Sequence, residues 1–108
     1  MQGFTLVIDP DGSKTIKEYR GPIPLDDLKA GVGDGFIEHV PYFSSFNWHG
    51  DPVPCAAFCN EMGKLHGMAY NAVATEAWHE TAPHMRGVDI LVGPIVIVFG
   101  DEAFMRAL

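Results

Sequence analysis

The apolar positions of this chain fall into short runs separated by turn-forming residues rather than into one long periodic stretch. Phe4 to Ile8 reads as a strand, and Lys14 to Tyr19 alternates in the manner of a returning partner. Between them stands Asp9-Pro10-Asp11-Gly12, where proline presets one dihedral and glycine accepts a positive φ, so a hairpin is predicted. Gly21-Pro22-Ile23-Pro24 is a connector. Leu25, Leu28 and Val32 then recur at helical spacing, with Asp26 and Asp27 in the first turn, where carboxylates favour a helix N-terminus. Gly31 and Gly33 stop this short helix.

Phe36 to Phe43 is strand-like, and Ser44 to Pro54 has the composition of a loop. Cys55 to Phe58 begins another strand. Glu61-Met62-Gly63 then turns the chain, with Gly63 at a positive-φ position, and Lys64 to Tyr70 returns as the second arm of a hairpin. Asn71 is a good N-cap for a helix over Ala72 to Glu80, with Val73, Ala77 and Trp78 on one face and Pro83 preventing continuation. Val88 to Val92 and Ile95 to Phe99 are β-branched runs on either side of Gly93-Pro94, and two strands or one bent strand both fit. Continuous apolarity implies burial on both faces, which places Ile90, Val92, Ile95, Val96 and Val98 in central strands with Trp78 packed on the sheet. Asp101 caps a final helical turn that holds Phe104 and Leu108. The reading is a single α+β domain over residues 1–108, a mostly antiparallel sheet of about five to six strands with two short helices packed on it.

Composition fits that picture. A chain of 108 residues that is 47% hydrophobic and 19% charged has the make-up of a folded domain. At this size roughly two thirds of the unfolded chain's surface is buried on folding, enough for a core without staples. The net charge of −7 argues against nucleic acid, which needs clustered Lys and Arg, and suits a basic protein partner or plain solubility. The longest apolar run, Ile90 to Phe99, is broken by Gly93-Pro94 and falls short of the roughly 18 residues a membrane span needs. Nothing at the N-terminus resembles a signal peptide, since Asp9, Asp11 and Lys14 follow the first apolar run. Cys55 and Cys59 would lie about 13 Å apart on an extended strand, too far for a disulfide, though a helix or loop would bring them closer. Two free thiols suit a reducing cytosol, so a cytoplasmic setting is expected.

Four segments carry a family resemblance. Gly33-Asp34-Gly35-Phe36-Ile37-Glu38 is similar to a "GGxIE" segment, and Asn60-Glu61-Met62-Gly63-Lys64-Leu65-His66-Gly67 to an "NEEGKLKGL" hairpin. Asn71 with Ala74-Thr75 resembles an "N..AT" helix start, and Asp89-Ile90-Leu91-Val92-Gly93-Pro94 a "DxIVGP" strand. In that order they resemble a domain-of-unknown-function family of small proteins encoded mainly by bacteriophages and mobile elements. His66 and Met68 stand where that family often has Lys and Leu, and the aromatic segment 44–54 matches none of its motifs. The resemblance implies a phage or mobile-element origin and a host cytoplasm, and it brings no catalytic residues.

The reactive side chains form no convincing constellation. His49, Cys55, Cys59, His66, His79 and His84 lack the paired spacing of structural zinc, so no metal and no cofactor are expected. No helix N-terminus follows either cysteine to activate it against His49 or His66. Asp26-Asp27 and Asp101-Glu102 sit where helix-end charges belong. Gly31 to Gly35 is glycine-rich but follows a helix and contains Asp34, the wrong context for phosphate. No catalytic residue is therefore assigned. Phe43, Phe46, Trp48 and His49 are different: large rings in a turn-rich segment either fold back on the core or meet a partner. They are the candidate interaction site, with a host protein as the expected partner and a second copy of this chain as the alternative. A small-ligand module that sequesters a nucleotide-like molecule is the rival reading, and a small enzyme the third.

Overall fold

The computed structural model describes all 108 residues. Seven strands and three helices form an α+β domain: β1 (Gly3–Ile8), β2 (Lys14–Tyr19), α1 (Leu25–Gly31), β3 (Ile37–His39), β4 (Ser45–Trp48), β5 (Asp51–Pro54), β6 (Ala56–Asn60), α2 (Ala72–Thr81), β7 (Ile95–Gly100) and α3 (Glu102–Arg106). The main sheet has the order β2-β1-β7-β6-β3, and β4 with β5 makes a separate two-stranded sheet. Every pairing is antiparallel.

β7 lies at the centre and is buried on both faces, as its unbroken apolar run requires. Ile95, Ile97 and Phe99 point to one side, where they meet Leu6, Ile8, Phe43, Phe46, Ala57, Ala74, Trp78 and Leu91. Val96 and Val98 point to the other, against Leu28 and Val32 of the α1 region and Phe104 of α3. The sheet is thus a middle layer between α1 and α3 on one face and α2 with the β4–β5 hairpin on the other. Asp101 caps α3 through Phe104 N–H at 2.9 Å.

The first hairpin is as its residues predict, with Gly12 at φ 87. Other expectations are corrected. Residues 36–43 form only a three-residue strand, because Pro41 cannot donate to a ladder and Tyr42 turns at φ 64. Residues 44–54 are a hairpin rather than a loop. His49 at φ 51 and Gly50 at φ 91 make its turn, and Pro52 and Pro54 are tolerated because β5 is an edge. Residues 64–70 do not return alongside β6, whose two edges are already taken by β7 and β3. Residues 61–67 instead form consecutive turns in which His66 N–H donates to Met62 C=O at 2.9 Å and Met68 N–H to Gly63 C=O at 2.9 Å. The positive φ falls at Gly67, not Gly63.

Val88 to Val92 is not a central strand. Only Val92 pairs, by an isolated bridge to Tyr70, and Val88 and Ile90 are exposed. On α2 the buried stripe is Ala74, Thr75, Trp78 and His79, while Val73 faces solvent.

Candidate functional site

The segment after α2 is fastened to that helix by polar side chains that are themselves buried. Asn71 Oδ1 accepts from Ala74 N–H at 3.1 Å, capping α2. Its amide nitrogen donates to Ile8 C=O at 2.8 Å and Gly93 C=O at 2.9 Å, tying the helix start to β1 and to the turn before β7. Thr75 Oγ1 accepts from Leu91 N–H at 2.9 Å. His79 Nε2 lies 2.9 Å from Asp89 C=O, so this nitrogen carries the proton and donates.

That fastening opens a cleft of about 100 Å³ beside the β3 edge. Glu38, Val40 and Pro41 form one wall, Cys59, Asn60, Glu61 and Lys64 a second, and Trp78 with residues 89–92 the rest. Trp78 Nε1–H donates to Pro41 C=O at 2.9 Å and closes the floor. Asn60 fixes the corner: its amide donates to Val32 C=O at 3.2 Å and its oxygen accepts Met62 N–H at 2.9 Å. Lys64 Nζ is ion-paired with the Asp89 carboxylate. Burial would raise the Asp89 carboxyl, but the Lys64 hydrogen bond and the Ile90 N–H outweigh it and hold it below the usual range. With Glu38 and Glu61 also on the walls, the cleft carries more negative than positive charge.

The two thiols are quiet. Burial pushes Cys55 up to about 12. Burial and then the Glu38 carboxylate push Cys59, on the cleft wall, up to about 11. Both are protonated at neutral pH and are poor nucleophiles. Cys55 donates weakly to Phe43 C=O at 3.7 Å, not to a histidine. No group of three or more His, Cys, Asp or Glu side chains is placed to hold a metal ion. Asp27 accepts from Tyr19 Oη at 2.8 Å and from Lys17 Nζ at 3.2 Å, and the glycine-rich turn after α1 ends the helix, with Gly33 at φ 84.

The four aromatic candidates are split by the fold. Phe43 is 1% exposed and Phe46 7% exposed, so both are core residues that present no surface to a partner. Trp48 is half-buried, with its ring centroid 5.4 Å from that of Phe99. His49 is exposed at the hairpin turn, edge-on to Trp48. The rings therefore cover one end of the core, and only the outer edge of Trp48 and His49 is left for contact.

Sequence reading of chemistry missed the cleft, although its polar residues stood in plain view. Glu38, Asn60, Glu61, Lys64 and Asp89 all belong to the motif segments, and the fold brings three separated motifs to one place.

The fold and site define a small α+β domain with an acidic cleft beside the β3 edge. A family described as a domain of unknown function, DUF3846, matches residues 1–106, and the chain belongs to that family. No curated protein and no solved structure matches it. No helix is long and apolar enough to cross a membrane.

Proposed function

We propose that this protein acts by non-covalent binding to another protein, and that the cleft with its apolar rim is the surface that does so. The observation that carries this reading is the placement of exposed apolar side chains around the cleft. Val88 is 71% exposed and lines an adjoining depression with Ile90, Lys64 and Asp89. Leu65, next to Lys64, is 77% exposed. Apolar side chains around a polar centre are the ordinary anatomy of an interface. The carboxylates of Glu38 and Glu61 favour a basic side chain from the partner, whose aliphatic stem would lie on the exposed Pro41 and Ile90. The family resemblance supports a phage or mobile-element origin, and hence a host protein met in the host cytoplasm; the two free thiols agree with such a setting.

The nucleotide-like ligand is weakly supported by contrast. Lys64 is the sole cation on the cleft wall, and it is already paired with Asp89. An enzymatic role would need a nucleophile or base that the raised thiols do not supply.

The test is a titration of the purified protein against arrayed peptides of basic-apolar, acidic-apolar and neutral composition. Basic-apolar peptides should bind, and Glu38→Lys with Glu61→Lys should abolish binding while the melting temperature stays put. Equal binding of all three classes, or binding indifferent to these substitutions, removes the reading.

A further inference from the structure

Most exposed backbone edges in this fold are guarded. β3 is three residues long, with Pro41 two residues beyond its end. β5 carries Pro52 and Pro54, which have no N–H to offer. β4 meets α2 through Ser45 Oγ and Thr81 Oγ1 at 3.0 Å. β2 is unlike these: it is six residues long, regularly paired to β1, free of proline, and exposed along all but its last residue.

The first turn determines what this edge presents. Asp9 N–H donates to Ser13 C=O at 2.9 Å, and Gly12 N–H donates to Asp9 C=O at 2.8 Å. Hydrogen-bonded and non-bonded pairs alternate along an antiparallel ladder. With Val7 opposite Thr15 and Thr5 opposite Lys17, residues 15, 17 and 19 therefore turn their backbone groups toward β1. Lys14, Ile16 and Glu18 turn theirs outward. The side chains of these three also share a face, the one on which Ile16 stands opposite Leu6.

The side chains are arranged to receive rather than repel. Lys17, on the other face, is drawn back onto α1 by Asp27 at 3.2 Å, and its ammonium lies 5.1 Å from the Tyr19 ring centroid. Lys14 makes no ion pair within the chain, in contrast to five of the other six cations. Glu18 holds Arg20 at 2.7 Å, and this contact and that of Gln2 both fall on Oε1, so its second oxygen is the one open to a partner. Ile16 is 48% exposed on a sheet edge.

We infer that β2 pairs with β2 of a second copy, antiparallel about a two-fold axis through Ile16, so that the two main sheets become one. Such symmetry permits only registers in which one residue faces its own equivalent. Centring on Lys14, Lys17 or Glu18 sets like charges opposite each other, which is destabilising. Centring on Thr15 sets Lys14 against Ile16 and Glu18 against Gly12. Centring on Ile16 sets Lys14 against Glu18 of the second copy, and Glu18 against its Lys14. The outward N–H and C=O groups of residues 14, 16 and 18 then meet their complements, and each Ile16 covers the other.

The experiment is sedimentation of the full chain over a concentration series, with four variants. The unaltered chain should show a monomer–dimer equilibrium. Lys14→Glu and Glu18→Lys should each weaken the dimer about tenfold, because each turns two attractive cross-strand pairs into repulsive ones. The double variant K14E/E18K exchanges the charges but keeps them opposite, and should restore the dissociation constant to within about threefold. Ile16→Pro removes an outward N–H and should yield a monomer, with thermal unfolding confirming that it is folded. If that variant does not fold, the charge series decides alone. A chain that stays monomeric up to about 0.5 mM, where even a weak contact near −4.5 kcal/mol would show, overturns the proposal. So does a dimer that the single charge changes leave intact, or a double variant no better than the singles.

Discussion

Phe46 meets Phe99 edge-on, with ring centroids 5.1 Å apart, and so joins the β4–β5 hairpin to the central strand. This contact makes the hairpin a cover of the core. Phe46→Ala should destabilise by about 3–5 kcal/mol through lost burial and the cavity it leaves. Trp48→Ala, from a half-buried ring, should cost about 1–3 kcal/mol. Denaturant midpoints check both, and an unmoved midpoint for Phe46→Ala would show that the hairpin is not part of the cooperative unit.

Cleft substitutions should behave in the opposite way. Val88→Asp alters a side chain that is 71% exposed, so stability should change by less than about 0.5 kcal/mol. Ile90, 43% exposed, is more than half covered, and Ile90→Asp should cost about 1 kcal/mol. Partner binding, read by peptide titration, should fall sharply. Loss of stability without loss of binding would reverse the assignment of cleft and hairpin.

Asn71 joins a helix cap to two carbonyls from different parts of the chain. Asn71→Ala should cost about 2–4 kcal/mol, since it removes the cap and leaves buried carbonyls without a donor. Asn71→Asp keeps the cap acceptor but turns its other oxygen toward two carbonyls, and should be no better than alanine. Calorimetric scans of the two variants settle the order.

Gly93 and Gly63 separate conformation from crowding. Gly93 sits at φ 72, and an added Cβ would come within 2.6 Å of Met68 Sδ. Gly63 has an ordinary φ, and its added Cβ would stand 3.2 Å from Val92 Cγ2. Gly93→Ala should therefore destabilise more than Gly63→Ala, by at least about 1 kcal/mol. Urea titrations yielding equal effects would mean the turn before β7 relaxes freely.

The cysteines should label slowly. With Cys55 raised to about 12 and Cys59 to about 11, iodoacetamide at pH 7.5 (a value near neutrality, where free thiols are roughly a tenth ionised) should modify the folded chain far more slowly than the urea-unfolded chain. Mass spectrometry over time reads the rates. Fast labelling of Cys59 alone would indicate that the cleft activates its thiol.

Asp89 makes acid stability informative. Its folded carboxyl is held below its unfolded value, so its contribution is present above about pH 4 and is lost as pH falls through the folded value. Asp89→Asn should lower stability at pH 7 modestly, because the ion pair with Lys64 is largely exposed. The same variant should show a shallower loss below pH 4. Thermal unfolding across pH 2–7, with parallel acid limbs for both chains, would remove Asp89 from the account.

Local chemistry made the first hairpin, both capped helices and the central strand legible. Asp9-Pro10-Asp11-Gly12, Asn71, Asp101 and the run Ile95–Phe99 each state their conformation within a few residues. The segments misread are those in which a tertiary partner decides. Residues 64–70 have strand-like composition, but β6 has no free edge for them. Val88 to Val92 looks like a core strand, yet α2 claims this segment through Thr75 and His79 and leaves Ile90 outward. The β4–β5 hairpin hid behind Pro52, Pro54 and a left-handed His49, none of which signals a strand in isolation. The cleft was illegible for a related reason: Glu38, Lys64 and Asp89 are far apart in sequence and meet only once the sheet is assembled.

That β7 is both central and the last strand in chain order has a consequence for synthesis on the ribosome. β1 with β2 forms one half-sheet and β3 with β6 another, and nothing but β7 joins them. Until residues 95–100 leave the exit tunnel, the nascent chain holds two unclosed fragments whose apolar faces await the same strand. Domain closure is then a late, single event, and the interval before it is when a chaperone or protease has its opportunity.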